Sequence, residues 1–316
     1  MLWRIGLKAG AVCVLLCLCS SVLAWTAQGH RSIAHEAFEQ LNVEQKRFWI
    51  ELLNRGFTSL TPTTNNPGKR PSVQELLKNA AVWPDRVRDQ TLQQIFQQYG
   101  SAQVPKPLKP WANRTSATWH YVNAQYFSDK RQLLPARADG NKGHFCPPTV
   151  SGDLIAVWPL LLQSFEAVAD SRDRVILMAF IVHLLTDAYQ PLHVLSSLNA
   201  QCQYDRGGNQ YCVDPKQGFH SNKKCQVNLH RLWDEGFEVF ESPWYKTYPF
   251  RAQPEELSSA VALSSDIAKT VYPIHASDVG TNPYKIKATH LVKERASRAV
   301  GHLYRLLVAL ENKVER

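Results

Sequence analysis

The chain has 316 residues, of which 44% are apolar and nine are Trp, and it carries a formal charge of +9. That apolar content is enough for a real core, which excludes a chain too polar to fold. The basic balance suits an anionic partner such as nucleic acid or a phospholipid surface, and the length allows one large domain or two modest ones.

Residues 1–24 differ from the rest. Arg4 and Lys8 precede an apolar run over 9–18, and small residues follow up to Ala24, the pattern of a secretory signal peptide cleaved after Ala24. The apolar core falls short of the roughly 20 residues needed to span a bilayer, and no later stretch is long and apolar enough to be an integral membrane segment. The mature chain, 25–316, is therefore expected to be secreted or periplasmic, and losing Arg4 and Lys8 takes the charge from +9 to +7. Three of the seven cysteines leave with the signal; Cys146, Cys202, Cys212 and Cys225 remain. An even number in an exported chain points to two disulfide bonds, with all three connectivities open. A cysteine zinc cluster is the rival reading, but the mature chain has no CxxC pair.

Apolar side chains at helical spacing over 29–54 (Ile33, Ala37, Phe38, Leu41, then Phe48, Trp49, Leu52) predict two helices or one bent helix. Residues 61–71 read as a loop rich in Pro, Asn and Gly. Ser72 then fits an N-cap, with Glu75 completing a capping box on a helix to about 82. Another short helix follows Asp85 through about 99, Asp85 itself fitting a cap after Pro84. Residues 100–113 hold three prolines and read as an exposed insertion. Helices are predicted over 151–168, 172–189, 227–241, 255–271 and 287–311. Residues 196–226 form a long polar segment containing three of the four mature cysteines. With almost no alternating strand pattern, the class is mainly α: a single-domain, multi-helix fold.

The chemistry concentrates in 181–194, IVHLLTDAYQPLHV. Residues four apart share a helix face, so His183 and Asp187 can reach one ion, while Pro191 breaks the register and frees His193 for a second. His230 and Asp234 in NLHRLWDEGF repeat the four-residue spacing on another apolar pattern. Cleavage after Ala24 would give Trp25 a free amine, which with its own carbonyl can chelate a metal, and His30 follows five residues later. Asp85 in AVWPDRVRD and His120 in ATWHYVN are isolated polar residues among aromatics.

Trp25 with His30, the WPD of Asp85, the WHYVN of His120, HLLTDAYQPLHV, the GGN of 207–209 and NLHRLWD together resemble the zinc-dependent single-strand nuclease family of the S-one and P-one type. The closing stretch AVGHLYRLLVALEN is similar to the family's last helix. The resemblance implies a mostly helical fold, shared with zinc-dependent phospholipase C, that holds three zinc ions in a cleft. It assigns Asp85, His120, His183 and Asp187 to the first zinc; Trp25, His30 and a shared Asp187 to the second; and His193, His230 and Asp234 to the third. It further implies a monomeric endonuclease and 3′-nucleotidase that activates water for in-line attack on the phosphates of single-stranded DNA and RNA, leaving 5′ phosphates. Asp85 would orient or deprotonate that water, and Arg88 would stand near the phosphate. Tyr121, Asn123, Gly208 and Asn209 match the base pocket, where Tyr121 could stack on the base and Asn209 could bond its edge. Asn123 replaces an acidic residue common there, which leaves base preference open. The insertion at 100–113 lengthens the Asp85 to His120 spacing. His35, His144, His220, His275, His290 and His302 receive no role. The nearest rivals are an exported zinc phospholipase C and a catalytically inactive nucleic-acid-binding module. The short Trp25 to His30 spacing, Asp234 in place of Glu and the GGN stretch count against the first, and the complete set of competent ligand types counts against the second.

Overall fold

The computed structural model describes residues 25–56, 72–127, 132–133, 152–199, 202–213, 225, 227–246, 248, 250 and 256–314. The signal segment, the 61–71 loop and Cys146 lie outside them. The first apolar pattern resolves into two helices, α1 (Ala27–Glu39) and α2 (Val43–Gly56). Thr26 caps α1 by accepting from the Gly29 amide. The Ser72 and Glu75 capping box is present on α3 (Val73–Ala80), a local device worth about 1 kcal/mol. The chain then turns into α4 (Trp83–Val87), and Asp85 lies inside this short helix instead of capping the next one. The next helix, α5 (Leu92–Tyr99), has its own capping box from Thr91 and Gln94.

The 100–113 insertion is not the exposed excursion that its composition predicts. Its prolines fix φ near the value a tight helix needs, and Lys106–Trp111 forms a 3₁₀ turn. Val104 and Leu108 are buried, and the turn packs on α6 (Leu154–Ala167). Asp173 anchors the start of the insertion by accepting from the Ser101 amide (2.7 Å) and hydroxyl (2.6 Å).

The centre of the molecule is α7 (Ser171–Ala188), in which every residue from Val175 to Ala188 is buried. A helix that is apolar all round must be covered on every side. Helices α2 to α6, together with α10 (Leu257–Asp266) and α12 (Asn282–Val314), supply that cover. The predicted 255–271 helix is divided at Ile267, where α11 (Ala268–Val271) begins. The predicted 227–241 helix is cut to α9 (Leu229–Asp234), because Gly236, Phe237 and Glu238 all have positive φ and the chain continues as a 3₁₀ segment.

A small sheet was not legible in the sequence. Strand β1 (Ala124–Phe127) pairs antiparallel with β2 (Gln132–Leu133) and parallel with β3 (Leu195–Leu198), in the order β2-β1-β3. All four residues of β3 are buried, so its LSSL carries no in-and-out alternation to read. Because β1 continues from the WHYVN stretch and β3 begins just after His193, the pairing brings the His120 and His193 segments side by side. A disulfide joins Cys212 to Cys225, and Cys202 is also disulfide-bonded. No helix among the described residues is long and apolar enough to cross a membrane.

Candidate metal centre

The helical spacing on α7 places His183 Nε2 3.3 Å from Asp187 Oδ2. Beyond the end of α7 the Gln190 side-chain Oε1 accepts from the Leu192 amide and Pro191 opens α8 (Pro191–Val194), so the chain reverses and presents His193 to the same region. Short hydrogen bonds fix the imidazole rings. The Nδ1 of His183 donates to Ala81 O (2.8 Å), that of His193 to His120 O (2.5 Å) and that of His230 to Gly207 O (2.5 Å). Thr186 Oγ1 donates to His183 O (2.7 Å) and accepts from His30 Nδ1 (2.5 Å). Each of these four rings is therefore held with Nδ1 as the donor, which leaves Nε2 as the nitrogen that faces the other ligand atoms, the arrangement of a metal-binding histidine with an outer support.

Three groups of ligand atoms result: His30, His183 and Asp187; Asp85, His120 and His183; and His193, His230 and Asp234, the atoms of each group lying within 4.8 Å of one another. The first two share His183. The two oxygens of Asp187 face different neighbours, Oδ1 toward His30 (3.4 Å) and Oδ2 toward His120 (3.0 Å). Asp85 Oδ1 lies 3.5 Å from His183 and 3.7 Å from His120, and His230 Nε2 lies 3.3 Å from Asp234 Oδ2. His30 Nε2, Asp85 Oδ1, His120 Nε2, Asp187 Oδ1 and His193 Nε2 are buried without a hydrogen-bond partner. Stranding so many polar atoms in one place costs about 1–3 kcal/mol each, so the arrangement fits cations on chemical grounds. Imidazole nitrogens with carboxylate oxygens are the donor set zinc takes.

The electrostatics agree with close packing of opposite charges. Burial, reinforced by His183, pushes His30 down to about 3, so beside Asp187 it is a neutral ring and not half of an ion pair. Burial also opposes charge on His183, but Asp187 and Asp85 outweigh it and raise this ring to about 9, so a proton competes with a cation for its Nε2. Asp85 and Asp187 are both held below the usual carboxylate range despite burial, chiefly by His183. Asp234 is pushed well up by burial, against the hydrogen bond from Gln190 and with Asp187 and Asp85 adding to the rise.

Trp25 is fully buried, its ring edge-on to Phe240 and its Nε1 donating to Thr186 O (3.0 Å). The next amide, of Thr26, donates to Asp234 O (2.9 Å), so the main chain at this point is tied to two segments that carry ligands. Arg88 is the C-cap of α4, one turn beyond Asp85. Tyr121 and Asn123 lie on the strip that follows His120, and the Val122 amide between them donates to His193 O (2.8 Å). Gly208 accepts from the His230 amide (3.3 Å), and the Asn209 side chain donates to Arg206 O (2.8 Å). Both candidate base-contacting strips are thus tied to the group of His193 and His230.

Several supporting residues escaped the sequence reading. Thr186 holds His30 and, through its carbonyl, Trp25. Gln190 donates to Asp234 Oδ1 (2.6 Å) while capping α8; a lone amide in an apolar run next to Pro191 was the available signal. Gly152 had none. A Cβ there would stand 1.7 Å from Tyr121 O, and the same turn holds the 118–122 strip through Asp153 N to Thr118 O (2.7 Å). Gly152→Ala is expected to cost about 3 kcal/mol or more in urea unfolding, because backbone must move. Gly280→Ala, where nothing lies within 4 Å, is expected to be near neutral; equal losses would remove the close-approach argument.

A search of the curated proteins returns no match to this chain. The family described as S1/P1 Nuclease matches it over residues 25–304, nearly the whole length and every residue of the three groups. The chain belongs to the S1/P1 nuclease family.

Proposed function

We propose that the chain is an exported, zinc-dependent endonuclease with 3′-nucleotidase activity, cutting single-stranded DNA and RNA to products with 5′ phosphates. The observation that carries this reading is the set of buried, partnerless ligand atoms in three converging groups, in a chain whose family is nuclease. Asp85, His120 and His183 would hold one zinc, His30 with the Trp25 amine and carbonyl a second, Asp187 joining the two, and His193, His230 and Asp234 a third. Bound zinc would supply an acidified water and neutralise charge on the phosphate. Binding by such donors is worth on the order of 10 kcal/mol, enough to offset the several kcal/mol that each buried charge costs.

The other roles fall to the protein's own groups. Asp85, as a carboxylate, accepts a hydrogen bond from the attacking water and so orients it toward phosphorus. Arg88 offers a planar guanidinium to phosphate oxygens. Tyr121 provides a face for an unstacked base, and the 207–209 loop lies against its edge. A flexible strand can bring a phosphate and an unpaired base to these groups together, which a rigid duplex cannot. Export fits the leader-like 1–24 segment and the Cys212–Cys225 disulfide, which is at home in an oxidising compartment.

The test uses protein beginning at Trp25, with zinc counted per chain. It is assayed on single-stranded and duplex DNA, RNA, 3′-nucleotides and phosphatidylcholine, with and without chelator. Expected are three zinc ions, cleavage of single strands and 3′-nucleotides, and loss of all activity in chelator with recovery on adding zinc. Cleavage of phospholipid with nucleic acid untouched would restore the phospholipase C reading, and full activity in chelator would end the zinc reading.

A further inference from the structure

Asp205 is fully buried and lies outside all three ligand groups. Its Oδ1 accepts from the Ser197 amide (2.8 Å) and the Ser196 hydroxyl (3.1 Å), both on β3. Its own amide donates back to Ser197 O (3.0 Å). Ser196 Oγ, having given its proton to the carboxylate, accepts from the Gly207 amide (3.1 Å). The Gly207 carbonyl then receives Nδ1 of His230. Three successive bonds thus run from a buried carboxylate to the ring of a candidate metal ligand.

The loop takes a shape that few residues adopt unaided. Arg206, Gly207 and Gly208 have φ of 53°, 62° and 82°. At Gly207 a Cβ would stand 2.4 Å from Leu192 O, so the loop is seated against the residue preceding His193. Non-glycine residues at positive φ cost on the order of 1 kcal/mol and persist only where surroundings hold them. A neutral amide oxygen at 205 would accept the Ser196 and Ser197 donors more weakly than a carboxylate does. Burial pushes the Asp205 carboxyl up to about 6 against hydrogen bonds from Tyr272, Gly208, Ser197 and Ser196, so above that pH the ionised acceptor is present.

We propose that Asp205 is a positioning residue: through Ser196 and the Gly207 carbonyl it fixes the ring of His230, and by holding the 206–209 loop it sets the Asn209 side of the base pocket. The inference rests on the proposed zinc nuclease function, which it deepens. It separates two tasks in the loop: the carboxylate shapes the site without touching substrate, and the glycines supply the backbone path.

The test compares Asp205→Asn and Ser196→Ala with wild type and with Ser264→Ala, a buried serine that bonds Ala260 O (3.0 Å) on α10 and Ala188 O (3.4 Å) on α7 and takes no part in the chain of bonds from Asp205 to His230. Zinc retention is followed against increasing chelator, KM and kcat on single-stranded DNA are separated, folding is checked by thermal unfolding, and the His230 ring is followed by histidine ¹⁵N spectra. Both loop variants are expected to release one zinc at about 10- to 100-fold lower chelator, the range for losing an outer support of a metal ligand. The other two zinc ions stay as in wild type, KM rises, and the protected Nδ1 proton of His230 broadens. Ser264→Ala is expected to lose stability but none of these. Unchanged zinc retention and an unchanged His230 signal in both loop variants would overturn the proposal, as would uniform loosening of all zinc ions that Ser264→Ala reproduces. Wild type that binds no zinc overturns the proposed function itself, and the metal half of this inference with it; the His230 signal in the same samples then decides the positioning half. Should Asp205→Asn fail to fold, Ser196→Ala, which removes a single hydroxyl, carries the same comparison.

Discussion

Asp187→Ala is expected to release two zinc ions per chain and to lower kcat/KM on single-stranded DNA by about 10³-fold or more, roughly 4 kcal/mol of transition-state stabilisation. His193→Ala is expected to release one. The asymmetry follows from the two carboxylate oxygens of Asp187, which face His30 on one side and His120 with His183 on the other. His193 has one nitrogen free for a metal, since its Nδ1 donates to His120 O, and its group shares no residue with the other two. Losing an outer support typically costs about 10- to 100-fold, so losing a ligand shared by two metals should cost more. The fold should survive either change, because α7 keeps its apolar packing from Val175 to Ala188. Metal analysis together with kinetics decides the matter: equal zinc loss from the two variants would remove the shared role of Asp187.

A single residue left in front of Trp25 is expected to reduce activity by about 10²-fold or more, since an amide nitrogen has no basic lone pair to give a metal. The geometry separates the amine from the ring. The indole is anchored by Nε1 to Thr186 O and by its edge on Phe240, while the adjoining main chain is tied to Asp234 O. Trp25→Phe keeps the amine and most of the apolar contact, so about a 10-fold loss or less is expected. The comparison takes three purified forms: wild type beginning at Trp25, the Trp25→Phe variant beginning at the same position, and wild type with one glycine added in front. Zinc is counted in each. Full activity and full zinc in the glycine-extended form would take the amine out of the ligand set.

The sequence made the candidate ligands legible because helical spacing is a local property. His183 with Asp187 and His230 with Asp234 each lie one turn apart on short apolar stretches, and Pro191 marks where the chain must turn before His193. The mainly helical class was readable for the same reason. What stayed hidden depends on partners distant in sequence. Strand β3 is covered on both faces, and β1 pairs with it across some 70 residues, so neither shows a period. The break after α9 depends on three consecutive residues at positive φ, of which only Gly236 announces itself. The second role of His183, common to two groups, needs His30 and His120 to arrive from separate parts of the chain. Gln190, Asp205 and Gly152 read as ordinary loop residues until the atoms they hold are seen.

The burial of α7 also sets where this protein can change. Its candidate ligands, His183 and Asp187, sit on the most enclosed helix, so a substitution that alters the candidate metal centre also alters the interior, and selection on the two cannot be separated there. Tyr121, Val122, Asn123 and Asn209 border the same centre half-exposed, where a new side chain displaces solvent more than neighbours, whereas Gly207 and Gly208 are buried at positive φ and have no room for one. On the proposed function, variation in which bases are preferred should therefore accumulate at 121–123 and 209, and a library built there should yield altered preference at a far higher frequency than one built on 175–188. Such an arrangement would keep the proposed chemistry constant while the choice of substrate remains adjustable.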